Sequence, residues 1–493
     1  MLTALFIAWP LVSILFVWLA GASVAKRVAL ASTVIQLIGT LYVFFNFPST
    51  AQVQYALDIP WIPTFGIHFN VGIDGISMLM LLLTNLLLPL IILSSFRHEY
   101  TRPVIFYSLV LLMQAALVGV FVSLDAFLYY VFWELALIPI YFIILFWGGE
   151  RRIAVTFKFF IYTIAGSLLM LVAFIFLYMQ VPSPSNFSLE SLRNLHLSAS
   201  TQLWVFSAFF IAYAIKMPIF PFHTWQPDTY TEAPPQGTML LSGIMLKMGI
   251  YSVIRWILPI TPLALQNGGK IALILGIVGV VYGAWIALTQ TNIKRLFAYS
   301  SLSHVGLIAA GIFACNMQGV QGGMIQMLTH GINVVGLFFC VQIIMDRLKT
   351  DKIANLGGII NKAPVFAVLF MVILLGSIAM PLTNGFIGEF LLLSGIFQTT
   401  ILDHNSQIFA GIAGLTIILG AVYMLRTYQH TMLGEAKEGM EFHDLYLNEK
   451  IVLITIAVLV LLIGIYPQPI LNLTEPAVRN LVDGIEKANL IMR

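Results

Sequence analysis

The chain has 493 residues, of which 60% are hydrophobic and 9% charged, against about 25% charged in an average soluble domain. That composition excludes a soluble globular protein and calls for a lipid bilayer as solvent. The net charge of +3 is dispersed, with no basic run interleaved with aromatics, which excludes a nucleic-acid partner.

A membrane-spanning helix takes about 20 apolar residues at about 1.5 Å rise each. Counted this way, the sequence predicts an all-α polytopic membrane protein with about fourteen spans, near 2–21, 28–46, 75–96, 104–122, 124–148, 156–180, 203–225, 237–258, 271–290, 296–315, 320–346, 364–399, 406–430 and 450–467. No basic residue precedes the first span, which is long enough to cross, so it reads as a retained helix and not a cleaved signal. Alternate connections carry Lys26 and Arg27; Arg97 and Arg102; Arg151, Arg152 and Lys158; Lys294 and Arg295; Arg347, Lys349, Lys352 and Lys362; and Lys437 and Lys450. The opposite connections carry only Arg193 and Lys270. By the positive-inside rule both termini are expected on the outer side of a bacterial inner membrane. One inner connection, Gln226 to Gly237, breaks the pattern: it has no Lys or Arg but carries Asp228 and Glu232.

In the outer connection 47–74, apolar residues alternate at Val53, Tyr55 and Leu57 and again at Ile67, Phe69, Val71 and Ile73, on either side of Pro60 and Pro63. Period-two alternation fits a surface β-hairpin as well as an ordered loop on the bilayer face.

Two spans carry helix breakers in their interiors. Lys216 directly precedes Met217-Pro218, with Pro221 following; Met380-Pro381 and Gly385 interrupt the segment 364–399. Proline lacks an amide donor and clashes with the carbonyl four residues back, so both spans are expected to be discontinuous. As one helix, 364–399 would be about 54 Å long, against a hydrocarbon core of about 30 Å. The two Met-Pro breaks lie five spans apart, which suggests two five-helix repeats, spans 4–8 and 9–13, inverted because five is odd. The resulting division is 1–103 for the first three helices and outer connection, 104–258 and 271–430 for the repeats, and 431–493 for the last helix and tail.

Four charges fall inside spans: Glu134, Lys216, Lys247 and Glu389. A charge at mid-bilayer costs about 2.5 to 3.5 kcal/mol on insertion scales, so each is expected to have a buried partner and a task. A Glu134–Lys216 pair would be stable when closed and release a proton when pulled apart; a static packing pair is the alternative. His304 and His330, inside spans 10 and 11, suit either proton relay or helix packing through a backbone carbonyl. His223, beside Asp228 in sequence, fits relay or proton uptake better than metal binding, because no third ligand is near. Arg255 and Arg426 lie near span ends and read as interfacial anchors. The two cysteines, Cys315 and Cys340, cannot form a metal site alone, and no phosphate loop, nucleophile elbow or haem motif occurs. Neither a metal nor a cofactor is therefore expected in this chain.

The segments FWELALIPIYF at 132–142, AIKMPIFPFHTWQPD at 214–228, APPQGTMLLSGIMLKMGIYSVIR at 233–255, IKRLFAYSSLSHVG at 293–306 and NGFIGEF at 384–390 resemble the antiporter-like family. Its members are proton-pumping membrane subunits of respiratory complex I and relatives in cation/proton antiporters. The resemblance covers essentially the whole chain. It implies fourteen helices with inverted repeats and a proton path along a hydrated axis, with Glu134 modulating Lys216, Lys247 as central relay and Glu389 as terminal acid. Sister subunits more usually have a lysine at that last position, so the acid points to the M-type branch. The resemblance also implies partners, the other membrane subunits of such a complex, with NADH, FMN, iron–sulfur clusters and quinone held elsewhere in it. Two rivals remain open: a subunit of a multi-subunit Na⁺/H⁺ antiporter, and a purely structural membrane subunit.

Overall fold

The computed structural model describes residues 1–436 and 440–491; Lys437, one of the expected inner basic residues, lies outside them. The helices are α1 (Leu2–Ala20), α2 (Ala25–Phe45), α3 (Gly75–Ser94), α4 (Pro103–Val122), α5 (Ala126–Trp147), α6 (Arg152–Gln180), the short α7 (Leu189–Arg193), α8 (Ala199–Lys216) and the short α9 (Gln226–Glu232). There follow α10 (Pro235–Ile260), α11 (Gly268–Leu288), α12 (Ile293–Ile312), α13 (Met317–Leu348), α14 (Pro364–Ser377), α15 (Asn384–Gln398), α16 (Ser406–Met432), α17 (Leu447–Ile465) and α18 (Gln468–Ile491). Among the described residues, eleven helices are long and apolar enough to cross a membrane. The three further expected spans fall on α8, on α12 with its Lys294, Arg295 and serines, and on the pair α14 and α15.

Helices α10 and α13 are buried along their full membrane window, whereas α1, α2 and α16 bury a third of theirs. The outer helices therefore turn most of their apolar surface toward lipid, and α10 and α13 form the axis of the bundle. Small residues let these two backbones touch, because a side chain at Gly331 would come within 2.8 Å of the Gly243 carbonyl oxygen. That crossing sets Lys247, one turn beyond Gly243, against His330.

The outer connection is a hairpin. Strand β1 (Gln54–Ile62) pairs antiparallel with β2 (Ile67–Ile73), matching Leu57 with Val71 and Ile59 with Phe69. Gly66 closes its turn at φ 60°, a left-handed conformation that favours glycine. The final helix α18 was not legible as a helix beyond the last span. It packs across α13, whose Gln321 donates to the Leu471 carbonyl at 2.8 Å and to Thr474 Oγ1 at 2.9 Å.

The acidic inner connection now has a cause. Asp228 pairs with Lys158 at 2.9 Å and with Arg295 at 3.1 Å, and Glu232 pairs with Arg151 at 3.2 Å. Three basic residues of neighbouring segments converge on this loop. Burial opposes ionisation of Asp228, but Lys158 and Arg295 outweigh it and hold the carboxyl below its usual range.

Candidate functional site

Helix α8 ends at Lys216, and residues 217–225 run as turns, so the expected second half of this span is not helical. Pro218 has no amide to offer the Ala214 carbonyl, which instead accepts from Ile219 N at 2.9 Å. The Ile215 carbonyl accepts from the Trp225 indole at 2.8 Å. The break is thus closed by polar groups of its own turn, and Lys216 stays 2% exposed at its lip. Its ammonium nitrogen meets no hydrogen-bond partner among the described residues and lies 5.3 Å from the centre of the Trp133 ring. Glu134, next to that tryptophan, is coupled to Lys216 through space, but the two make no direct ion pair. The Glu134–Lys216 pair suggested by the sequence is open here, with the Trp133 indole beside the lysine.

The second break has the same backbone solution. Met380 N bonds the Leu375 carbonyl at 3.1 Å, again five residues back, and Ala379 and Leu382 take φ of 54° and 72°. Such left-handed non-glycine residues cost of order 1–3 kcal/mol each and persist only where their surroundings hold them. Here α13 supplies a clamp: Asn333 and Asn384 exchange amide hydrogen bonds at 3.0 Å in both directions. Pro381 lies in the break, and Gly385 in the first turn of α15 packs against the Gly376 carbonyl at the end of α14.

Between the breaks runs a contiguous row of titratable side chains. Lys247 is fully buried, donates to the Ser242 carbonyl at 2.5 Å and meets His330 Nδ1 at 2.9 Å. The other nitrogen of His330 meets Ser301 Oγ at 3.2 Å, so neither nitrogen bonds a backbone carbonyl. The rings of His330 and His304 are centred 6.0 Å apart, and His304 Nδ1 lies 2.9 Å from Glu389 Oε1. That last approach is short but off the hydrogen-bond line, leaving both Glu389 oxygens and His304 Nε2 without an aligned partner. A cavity of about 10 Å³ is lined by His304, His330, Gln326 and Asn333, room for about one water. A π-helical turn, Leu241–Met245, lies just before Lys247 in α10, a distortion often found at functional positions.

Two further side chains singled out by the sequence have surroundings that it did not show. His223 is buried against Phe220 and Tyr282, with ring centres 5.6 and 4.9 Å away, and its Nδ1 has no partner. Its sequence neighbour Asp228 is taken by Lys158 and Arg295 instead. Arg255 is not an interfacial anchor: it is 6% exposed and grips Asp74 with two bonds of 2.6 and 2.7 Å, plus Ser77 Oγ at 2.9 Å. Asp74 in turn caps α3 through Ser77 N at 2.9 Å. An Asp directly before an apolar run is an N-cap signal that could have marked Asp74 as a helix cap, though not as the partner of Arg255.

Two interrupted spans and a buried row of titratable groups across the bundle define a polytopic membrane protein of the ion-translocating class. The chain belongs to the NADH:quinone oxidoreductase/Mrp antiporter transmembrane family, whose model matches residues 123–416. Among curated relatives, NADH-quinone oxidoreductase subunit M of Rhodobacter capsulatus is 40% identical over 93% of this chain and 90% of its own length. The subunit M of Rickettsia prowazekii (strain Madrid E) is 39% identical over 96% and 97%, and that of Escherichia coli (strain K12) 36% over 87% and 86%. Among solved structures, respiratory complex I from Thermus thermophilus with bound NADH contains a chain matching at a TM-score of 0.91 and 30% identity, covering 98% of this chain and 100% of that one. A chain of the Mrp complex from Dietzia sp. DQ12-45-1b shares the fold at a TM-score of 0.85 and 21% identity, over 98% and 99%.

Proposed function

We propose that this chain is a proton-translocating membrane subunit of a bacterial NADH-quinone oxidoreductase. The observation that carries this is the row Lys247, His330, His304, Glu389, with contacts of 2.9 Å at each end, in a chain so similar along its length to subunit M proteins. NADH, FMN, iron–sulfur clusters and quinone would sit in other subunits, and among the described residues no group of three or more His, Cys, Asp or Glu is arranged to hold a metal. Redox chemistry elsewhere would change the field at Glu134 and Lys216. Lys216 would then pass its proton toward Lys247, which faces His330. His304 would hand the proton on to Glu389, with one water bridging the two rings.

The same reading takes the bundle as fourteen spans, counting α8, α12 and the α14–α15 pair, with spans 4–8 and 9–13 as inverted repeats and both termini outside. The matching hydrogen bonds at the two breaks, each five residues back, support that relation. Sister antiporter-like subunits and lipid would cover the outer helices. In the assembled complex in membrane vesicles, Glu389→Gln should sharply lower protons pumped per electron while electron transfer capacity remains. Normal pumping in that variant would sink the assignment and favour a structural subunit. A subunit of a multi-subunit Na⁺/H⁺ antiporter is the second reading, favoured by the scope of the family itself; co-purification with small membrane subunits alone, without flavin or iron–sulfur proteins, would select it.

A further inference from the structure

The row of charges ends near a second, larger cavity that the path above does not use. This cavity, about 420 Å³, opens between the α11–α12 connection, the turn at 353–356 and α16, and is lined by Gln290, Leu296, Tyr423, Arg426, Thr427 and His430 among others. It lies at the end of the bundle that carries Lys294, Arg295 and Lys352. Tyr423, one of its lining residues, is 1% exposed, with its hydroxyl 3.0 Å from Ser300 Oγ. On the far side of that bond, Ser300 lines the small cavity that holds His304 and His330. Ser300 and His304 are four residues apart on α12, so they share a helix face. A lining residue of each cavity thus meets the other in one hydroxyl contact. Beyond it wait three buried atoms with no aligned partner, His304 Nε2 and the two oxygens of Glu389.

We propose that the Tyr423–Ser300 contact is the closed barrier of an aqueous access route from the basic face to His304 and Glu389. When the hydroxyls part, water from the vestibule joins the small cavity. A hydronium then gives its proton to His304 Nε2 or to a Glu389 oxygen and leaves a water molecule behind. The second half of the molecule would therefore exchange protons with the basic face directly, and not only through Lys216 and Lys247. Arg426, exposed at the vestibule wall, repels cations in the resting state, and its field falls off steeply once the route is wet. This inference rests on the proton-translocating reading, and the test separates the two.

The experiment uses the assembled complex in sealed vesicles, with Cys315 and Cys340 replaced by alanine and Thr427→Cys or Gln290→Cys introduced at the vestibule. Each variant is its own reference, measured as protons per electron before and after a membrane-impermeant, bulky cationic methanethiosulfonate is added to one face. Addition to the basic face is expected to lower pumping as far as Glu389→Gln does, and addition to the opposite face to leave it unchanged. Labelling confirmed by mass spectrometry with pumping unaltered overturns the access route, while the proton-translocating reading stands if Glu389→Gln still impairs pumping. Absence of labelling at both positions from the basic face also overturns it, because the vestibule would then be closed to water-borne reagents. If Glu389→Gln itself pumps normally, the underlying reading fails and the route fails with it.

Discussion

The two broken spans are built alike in backbone and differ in what surrounds their charge. At the first, Lys216 stands at the lip of the break with an indole beside it and no hydrogen bond to its nitrogen. At the second, Glu389 closes a row in which Lys247, His330 and His304 lie within contact or one water of each other. A lone buried ammonium responds strongly to a distant charge, since little else fixes its state. Under the proposed function, a contiguous row does the opposite work and passes a proton with little reorganisation. The difference suggests a sensing half and a conducting half within one chain.

That division is open to breakage at several points. The largest effect is expected from Lys216→Ala, which removes the sensing charge and should abolish pumping through this subunit; Glu134→Ala should reduce it sharply, and near-normal protons per electron in either variant would remove the first half from the mechanism. Next, His330→Leu and His304→Leu should each cut pumping about as far as Lys247→Ala does, since losing a positioned proton-transfer group costs roughly 10²-fold or more in rate. If both leucine variants pump normally while Lys247→Ala does not, the histidines only pack helices. A milder loss is expected from Lys247→Arg than from Lys247→Ala, because Arg keeps the charge but gives up its proton reluctantly; equal pumping in the two would argue against a titrating relay.

Two predictions concern stability outside the row. Asp74→Ala leaves Arg255 buried without its partner, which should destabilise the fold by about 3 to 5 kcal/mol, read as a lower thermal transition of the assembled complex with pumping per electron retained. Asp228→Asn should have the smallest effect, since the site is partly exposed and screened. Its sign is set by the depressed carboxyl pKa. The ionised form stabilises the inner connection at neutral pH, and that contribution disappears as pH falls through the folded pKa. The wild type should therefore lose its advantage over Asp228→Asn in acid, and a constant difference across the pH range would show that the ion pairs contribute nothing.

Much of the fold was legible because the bilayer imposes a one-dimensional rule. Apolar runs of about 20 residues are spans, and the Met-Pro pairs at 217–218 and 380–381 mark the two breaks, whereas Pro10, Pro89 and Pro139 sit inside continuous helices. Lys216, Lys247 and Glu389 stood out for the same reason, as charges that lipid makes costly. The histidines did not, because a neutral imidazole is tolerated in a helix for packing as readily as for proton transfer. The hairpin was visible as alternation but indistinguishable from a loop until Leu57 paired with Val71. Asp74 and Arg255 are 181 residues apart in sequence, and no local pattern links them.

The sequence by itself thus determined that this is a membrane protein, where most of its spans run, where two of them break and which charges are trapped inside, because hydropathy and proline chemistry act locally. Only the tertiary structure decided which of those charges meet. The Gly243–Gly331 crossing brings Lys247 to His330, the packing of α12 against α15 brings His304 to Glu389, and Trp133, next to Glu134 in the chain, packs beside Lys216. Contact between helices depends on how small residues let backbones approach, a property of pairs of helices that no single span carries.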